Sequence, residues 1–215
     1  LDLNGATRTI DVYQGGGSIM QSRATISGGI TGSGASSNLI KSGGGVLFLT
    51  ATTSNWGGST TVSGGILDFG GTNLANIGGG SGRNISVAAG AGVKFNALSN
   101  AILNRIAETS DQIIVMTGTT ANNLDFSSSA GANLPNVWLG NWASIGAKAE
   151  ISGTIAFGGS NYQLGARESS GLLGIVGANK LTGSQGLIVG QTGAASGVRV
   201  ELAAANDFTG DTVIN

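Results

Sequence analysis

Apolar residues along this chain come in short alternating runs, each closed off by Gly, Asn or Ser. Such runs stand at 24–27, 46–49, 60–63, 66–69, 85–87 and 112–116, and again at 124–126, 149–152, 187–189, 198–202 and 212–214. A period of two places alternate side chains on opposite faces of a strand, so these runs predict short strands. Helical spacing is confined to 100–108, where Ile102, Leu103 and Ile106 share one face. A stretch that short supports one helical turn or a short helix at most.

The turns between the runs narrow the architecture. A meander or sandwich joins neighbouring strands by tight hairpins, which favour Asn-Gly or Asp-Gly. Asn4-Gly5 is the only such pair; Gly-Gly and Gly-Ser-Gly corners dominate instead. Gly supplies the positive φ of a sharp corner, and small Ser, Thr and Asn side chains can stack from coil to coil. The pattern therefore predicts an all-β chain folded as a parallel β-helix, a β-solenoid with short strands and Gly-rich corners, running as one continuous segment over 1–215.

Composition supports order rather than a flexible linker. Gly accounts for 40 of 215 residues, far above the usual share of roughly 7%. Hydrophobic residues are nonetheless 40% of the chain, and Pro135 is its one proline, whereas disordered chains are poor in apolar residues and rich in proline. Charged residues are 10%, net charge is −1, and the basic residues are scattered singly. That excludes the basic patch of a nucleic-acid binder and a polybasic membrane anchor, and no apolar run is long enough for a membrane helix. There is no Cys and no His, which removes disulfides, thiol chemistry and the usual zinc sites. The start at Leu1 lacks the basic region of a signal peptide, so the chain reads as an internal part of a longer one.

Two segments repeat without gaps at an offset of 152, within copies at about 39–70 and 195–215 separated by a spacer. Trp56 matches Phe208, Gly58 matches Gly210, Thr60 matches Thr212 and Val62 matches Ile214. The shared form is strand, polar loop, aromatic, x, Gly, x, Thr, strand. In a coil the aromatic closes one end of the core, the Gly permits the corner and the β-branched Thr starts the next strand. Leu1-Asp2-Leu3 matches Leu67-Asp68-Phe69, so the far end of the second copy points to a continuation like the start of the chain, as in a tandem array.

The first copy carries a family likeness. Lys41, Gly43, Gly45, Leu47 and Leu49, then Asn55, Trp56, Gly58, Thr60, Val62, Gly65 and Leu67 resemble the autotransporter-associated β-strand repeat, also called the passenger-associated transport repeat. Its usual form is K-x-G-x-G-x-L-x-L, a polar loop, then N-x-Y-x-G-x-T-x-V-x-x-G-x-L; here Trp stands where Tyr is commonest. The second copy departs further, with Glu201 inside its strand and Asp211 after Gly210. The resemblance implies a right-handed parallel β-helix, exported to the bacterial cell surface or secreted, in proteins that often serve adhesion. It implies a structural motif of Lys41, Gly45, Trp56, Gly58, Thr60, Gly65, Phe208, Gly210 and Thr212, with no catalytic residues and no cofactor.

Chemistry has to be sought in carboxylates, Arg and Lys. Asp207 and Asp211 flank one corner, but the first copy has Asn55 and Ser59 there, so they read as solvated turn residues. Glu108 with Asp111 reads as a cap or loop, and Arg167-Glu168 as an exposed pair. The Gly-rich run 78–82 has Arg83 where a calcium-binding repeat needs Asp. Trp138 and Trp142, four residues apart, are candidate glycan contacts, set against core packing as the plainer role. The chain thus reads as a structural extracellular scaffold and not an enzyme, with neighbouring repeats, glycans or cell surfaces as partners. Two alternatives stand beside it: a fibre subunit that self-associates end to end, and a β-helical enzyme acting on polysaccharide through converging acids and bases.

Overall fold

Parallel strands cannot be joined by a hairpin, so a chain whose successive strands pair in parallel must travel round a full coil before it meets itself. That is the arrangement found. The computed structural model describes residues 1–15, 22–70, 74, 82–107, 109, 111–127, 133–142, 148–166, 171–192 and 199–215. They fall into two units, Leu1–Lys94 with Asn104–Thr109, and Phe95–Leu103 with Ser110–Asn215. Each is a parallel β-solenoid, and the described residues contain one short helix.

In the first unit the chain passes repeatedly through three faces. One carries Arg23–Ile26, Val46–Leu49, Ile66–Asp68 and Gly92–Phe95. A second carries Arg8–Asp11, Leu39–Ser42, Thr60–Val62 and Ile85–Val87. The third is the two-residue pair Thr31–Gly32 and Asn55–Trp56. Leu47, Leu67 and Val93 stand in register and are fully buried, an inward column in which each side chain contributes about 1.5–3 kcal/mol by leaving water. Register partners lie 23 residues apart at Arg23 and Val46, 20 at Val46 and Ile66, and 26 at Ile66 and Gly92, so loops of unequal length hang from a constant core.

In the second unit Ile113–Met116, Trp138–Asn141, Asn161–Leu164, Gly186–Val189 and Thr212–Ile214 form the longest face. Each step is 25 residues: Ile113 to Trp138, Leu139 to Leu164, Asn161 to Gly186, Leu187 to Thr212. A second face holds Thr119–Thr120, Lys148–Ile151, Leu172–Ile175 and Arg199–Leu202. Aromatics stack through the core: Phe126 on Phe157 at 4.7 Å, Phe157 edge-on to Tyr162 at 5.6 Å, and Tyr162 edge-on to Phe208 at 6.4 Å. Such pairs each add about 0.5–1.5 kcal/mol beyond their buried area.

The helix expected near 100–108 is Asn100–Leu103, started by Ser99, whose hydroxyl accepts the Ile102 amide at 3.4 Å. It ends early because Ile106 is taken into a parallel bridge with Ile85. Several strands have no counterpart among the runs marked in the sequence: Arg8–Asp11, Gly92–Phe95, Trp138–Asn141, Ile155–Phe157, Asn161–Leu164 and Leu172–Ile175. All four residues of Trp138–Asn141 are buried, so that strand shows no alternation to find.

Candidate functional site

The residues of the first repeat copy come together at the corners of one coil in the first unit. Trp56 is fully buried, and its indole Nε1–H donates to Thr60 Oγ1 at 3.2 Å. Thr60 stands in register between Leu39 and Ile85, in an apolar column where an unbonded hydroxyl would cost about 1–3 kcal/mol. The spacing aromatic-x-Gly-x-Thr is therefore a donor and its acceptor held across a corner. Gly58 lies between them because a Cβ there would sit 2.6 Å from the Ser37 carbonyl oxygen and 2.5 Å from Asn38 Oδ1.

Lys41 points the same way. It shares a register column with Ile10, Val62 and Val87 and is fully buried. Its ammonium donates to the carbonyls of Ser42 (2.9 Å), Gly43 and Gly64 (2.9 Å). Two of these belong to its own coil and one to the next, so Lys41 fastens consecutive corners. Gly65, at φ +60, closes over this cage: a Cβ there would stand 2.1 Å from the Gly45 carbonyl oxygen and 2.6 Å from Lys41 Nζ. Gly45 is held in turn by the Ser22 carbonyl, 2.5 Å from where its Cβ would be. Gly65→Ala is expected to destabilise the first unit by about 3 kcal/mol, from left-handed strain and from overlap with fixed backbone. A urea midpoint unchanged from wild type would contradict this account of the corner.

Burial pushes the Lys41 ammonium down to about 8, outweighing the upward pull of the Asp11 carboxylate. Between pH ~8 and the ordinary lysine value the folded chain then binds fewer protons at Lys41 than the unfolded chain, so stability rises with pH across that window. The expected result is that wild type gains thermal stability relative to Lys41→Met between pH 8 and 10. Parallel pH profiles for the two proteins would refute it.

At the second copy the order recurs as Arg199–Leu202, Asp207–Phe208, Thr212–Ile214, while its first residues, 195–198, lie outside the described residues. Gly32 is the register partner of Trp56, and Gly183 that of Phe208, so in each copy the aromatic faces a glycine one coil away. Phe208 has no N–H to give. The polar duty there falls to Tyr162, whose hydroxyl donates to the Thr182 carbonyl at 2.6 Å and accepts the Thr182 amide at 3.0 Å. Gly210 meets backbone as Gly58 does, with its Cβ position 2.4 Å from Gly186 N. Thr212 is exposed and pairs with Leu187.

Most other acids have turn or ladder duties. Asp2, Asp68 and Asp125 each accept the amide two residues on, from Asn4 at 2.9 Å, Gly70 at 2.8 Å and Ser127 at 2.8 Å. These are Asx turns that stop a strand, and Asn4 (φ 50) and Gly70 (φ 49) adopt the same backbone. Asp11 accepts the Ser42 hydroxyl at 2.6 Å. Asp207 and Asp211 are exposed. Glu108, Arg167-Glu168 and 78–81 of the Gly-rich run lie outside the described residues.

One junction of acids and base stands on the surface of the second unit. Lys148 pairs with Glu150 and with Glu201, both at 2.9 Å. It crosses over Gly174, where a Cβ would lie 2.4 Å from Lys148 Cε. Hydrogen bonds to Glu150 and then Glu201 raise its pKa, so this lysine is held as the ammonium and offers no base. Among the described residues no three acids gather where a cation could sit.

Trp138 and Trp142 are each 5% exposed, so neither presents a ring face to a sugar in this structure. An open depression of about 350 Å³ lies beside the Trp56 corner, lined by Thr31, Ser33, Asn55 and the glycines 32, 34 and 57. It holds no aromatic face, since Trp56 is turned inward. No described helix is long and apolar enough to cross a membrane.

A family model described as passenger-associated-transport-repeat matches residues 39–69, the stretch that contains Lys41, Gly45, Trp56, Gly58, Thr60 and Gly65. Together with the parallel coils it marks this region as a repeat of the kind found in autotransporter passengers, a structural element and not a known enzyme family. No curated protein and no solved structure matches the chain.

Proposed function

We propose that this stretch is a stiff structural scaffold within a bacterial protein displayed at the cell surface or secreted, like an autotransporter passenger. The observation that carries the reading is how the matched repeat spends its residues. Lys41 is caged by carbonyls, Trp56 and Thr60 satisfy each other in the core, and Gly58 and Gly65 admit backbone contact. None is left facing solvent to bind or react. Within each unit, stacked coils pair backbone groups from rung to rung and bury a thin core, which resists bending. Few charges and many Ser, Thr and Asn side chains give a neutral surface suited to adhesion to glycans or to copies of itself.

Negative-stain electron microscopy of the native protein tests the scaffold, and protease shaving of intact cells tests display. Rods accessible to protease from outside are expected. Compact globules, or a chain protected until cells are lysed, would overturn the reading. A glycan array and sedimentation over a range of concentrations then separate an adhesive rod from a self-associating fibre.

A further inference from the structure

Carbonyls partly withdrawn from water at a glycine corner need a donor, and two coils of this chain supply one from different places. In the first unit Lys41 pairs with Val62, and the next amide, Ser63 N, donates back to the Lys41 carbonyl at 2.9 Å. In the second unit Val189 pairs with Ile214, and the next amide, Asn215 N, donates back to the Val189 carbonyl at 3.0 Å. By this geometry Val189 holds the place of Lys41 and Asn215 the place of Ser63. The carbonyl that follows is capped in both. Ser42 O receives the Lys41 ammonium at 2.9 Å, and Gly190 O receives Asn215 Nδ2 at 2.7 Å.

We infer that positions 41 and 63, and positions 189 and 215, are a two-residue capping pair that decides which coil can seat on which corner. The pair has two interchangeable settings. In one, a lysine from the lower strand reaches up and the upper residue is a small serine, whose Oγ–H goes to the Lys41 carbonyl at 3.2 Å. In the other, the lower residue is an apolar β-branched side chain and the upper is an asparagine whose amide reaches down. Valine beneath serine leaves the corner carbonyls without a donor, and lysine beneath asparagine brings a second donor that the corner does not need. The pair thus acts as a matching rule between successive coils, joining a lower residue withdrawn from solvent to an exposed upper one.

The test exchanges the settings and reads local stability. Lys41→Val is expected to lower the unfolding midpoint by about 5–10 °C, through loss of hydrogen bonds to the corner carbonyls, and to speed hydrogen exchange in the peptide covering 60–66. Adding Ser63→Asn to Lys41→Val should recover at least half of both changes, whereas Ser63→Asn alone should give no gain. The converse uses the other corner, which guards against Lys41→Val failing to fold. Asn215→Ala should lower the midpoint, and Val189→Lys with Asn215→Ala should recover it. Rescue at either corner supports the pair. No rescue at both, or an equal gain from Ser63→Asn in wild type, would overturn it.

Discussion

Trp56→Ala is expected to destabilise the first unit by about 3–5 kcal/mol, the usual cost of emptying a fully buried Trp site. The indole fills the corner between Asn55–Trp56 and the Thr60–Val62 strand, and neighbours fixed by interstrand bonds cannot close the space. Thr60 Oγ1 loses its donor at the same time, although the two costs overlap and do not add. Trp56→Phe separates them: it keeps most of the bulk and drops the N–H, so it should cost only about 1–2 kcal/mol. Denaturant unfolding followed by hydrogen exchange in 46–62 reads both. A Trp56→Ala loss below about 1 kcal/mol would mean that the aromatic is not the plug of the coil.

Asp68→Ala is expected to cost a similar amount, about 3–5 kcal/mol, by leaving a nearly buried ammonium without its partner. Asp68 and Lys94 are direct register partners on adjacent coils, paired at 2.5 Å with side chains 3% and 13% exposed. Lys94 also lies 5.9 Å from the centre of the Phe48 ring, and Asp68 accepts the Gly70 amide that ends its strand. Removing one charge strands the other, whereas removing both leaves an apolar contact. Asp68→Leu with Lys94→Leu should therefore return to within about 1 kcal/mol of wild type, apart from the lost turn bond. If the double variant is as damaged as Asp68→Ala, the pair contributes through the turn at Gly70 and not through charge.

The sequence determined the class of fold by itself. Alternating runs at 46–49, 60–63 and 66–69 became strands at Val46–Leu49, Thr60–Val62 and Ile66–Asp68, although burial alternates only along Thr60–Val62 and every residue of Ile66–Asp68 is covered. The shortage of hairpin turns favoured parallel coils over antiparallel pairing. The repeat was legible too, since an aromatic, a glycine and a threonine recur at the same spacing as Trp56, Gly58 and Thr60 and as Phe208, Gly210 and Thr212. What stayed hidden was set by neighbours far along the chain. The 25-residue step of the second unit leaves no mark, because Ile113 with Trp138, and Asn161 with Gly186, need only fit the same place on successive coils, not resemble each other. For Trp138 and Trp142 the sequence left glycan contact beside core packing as the plainer role, and only packing decides whether a ring is covered. Lys41 is the clearest case. The repeat marks Lys41 as structural, but its burial depends on carbonyls of Gly43 and Gly64 that fall into place only when one coil closes over another.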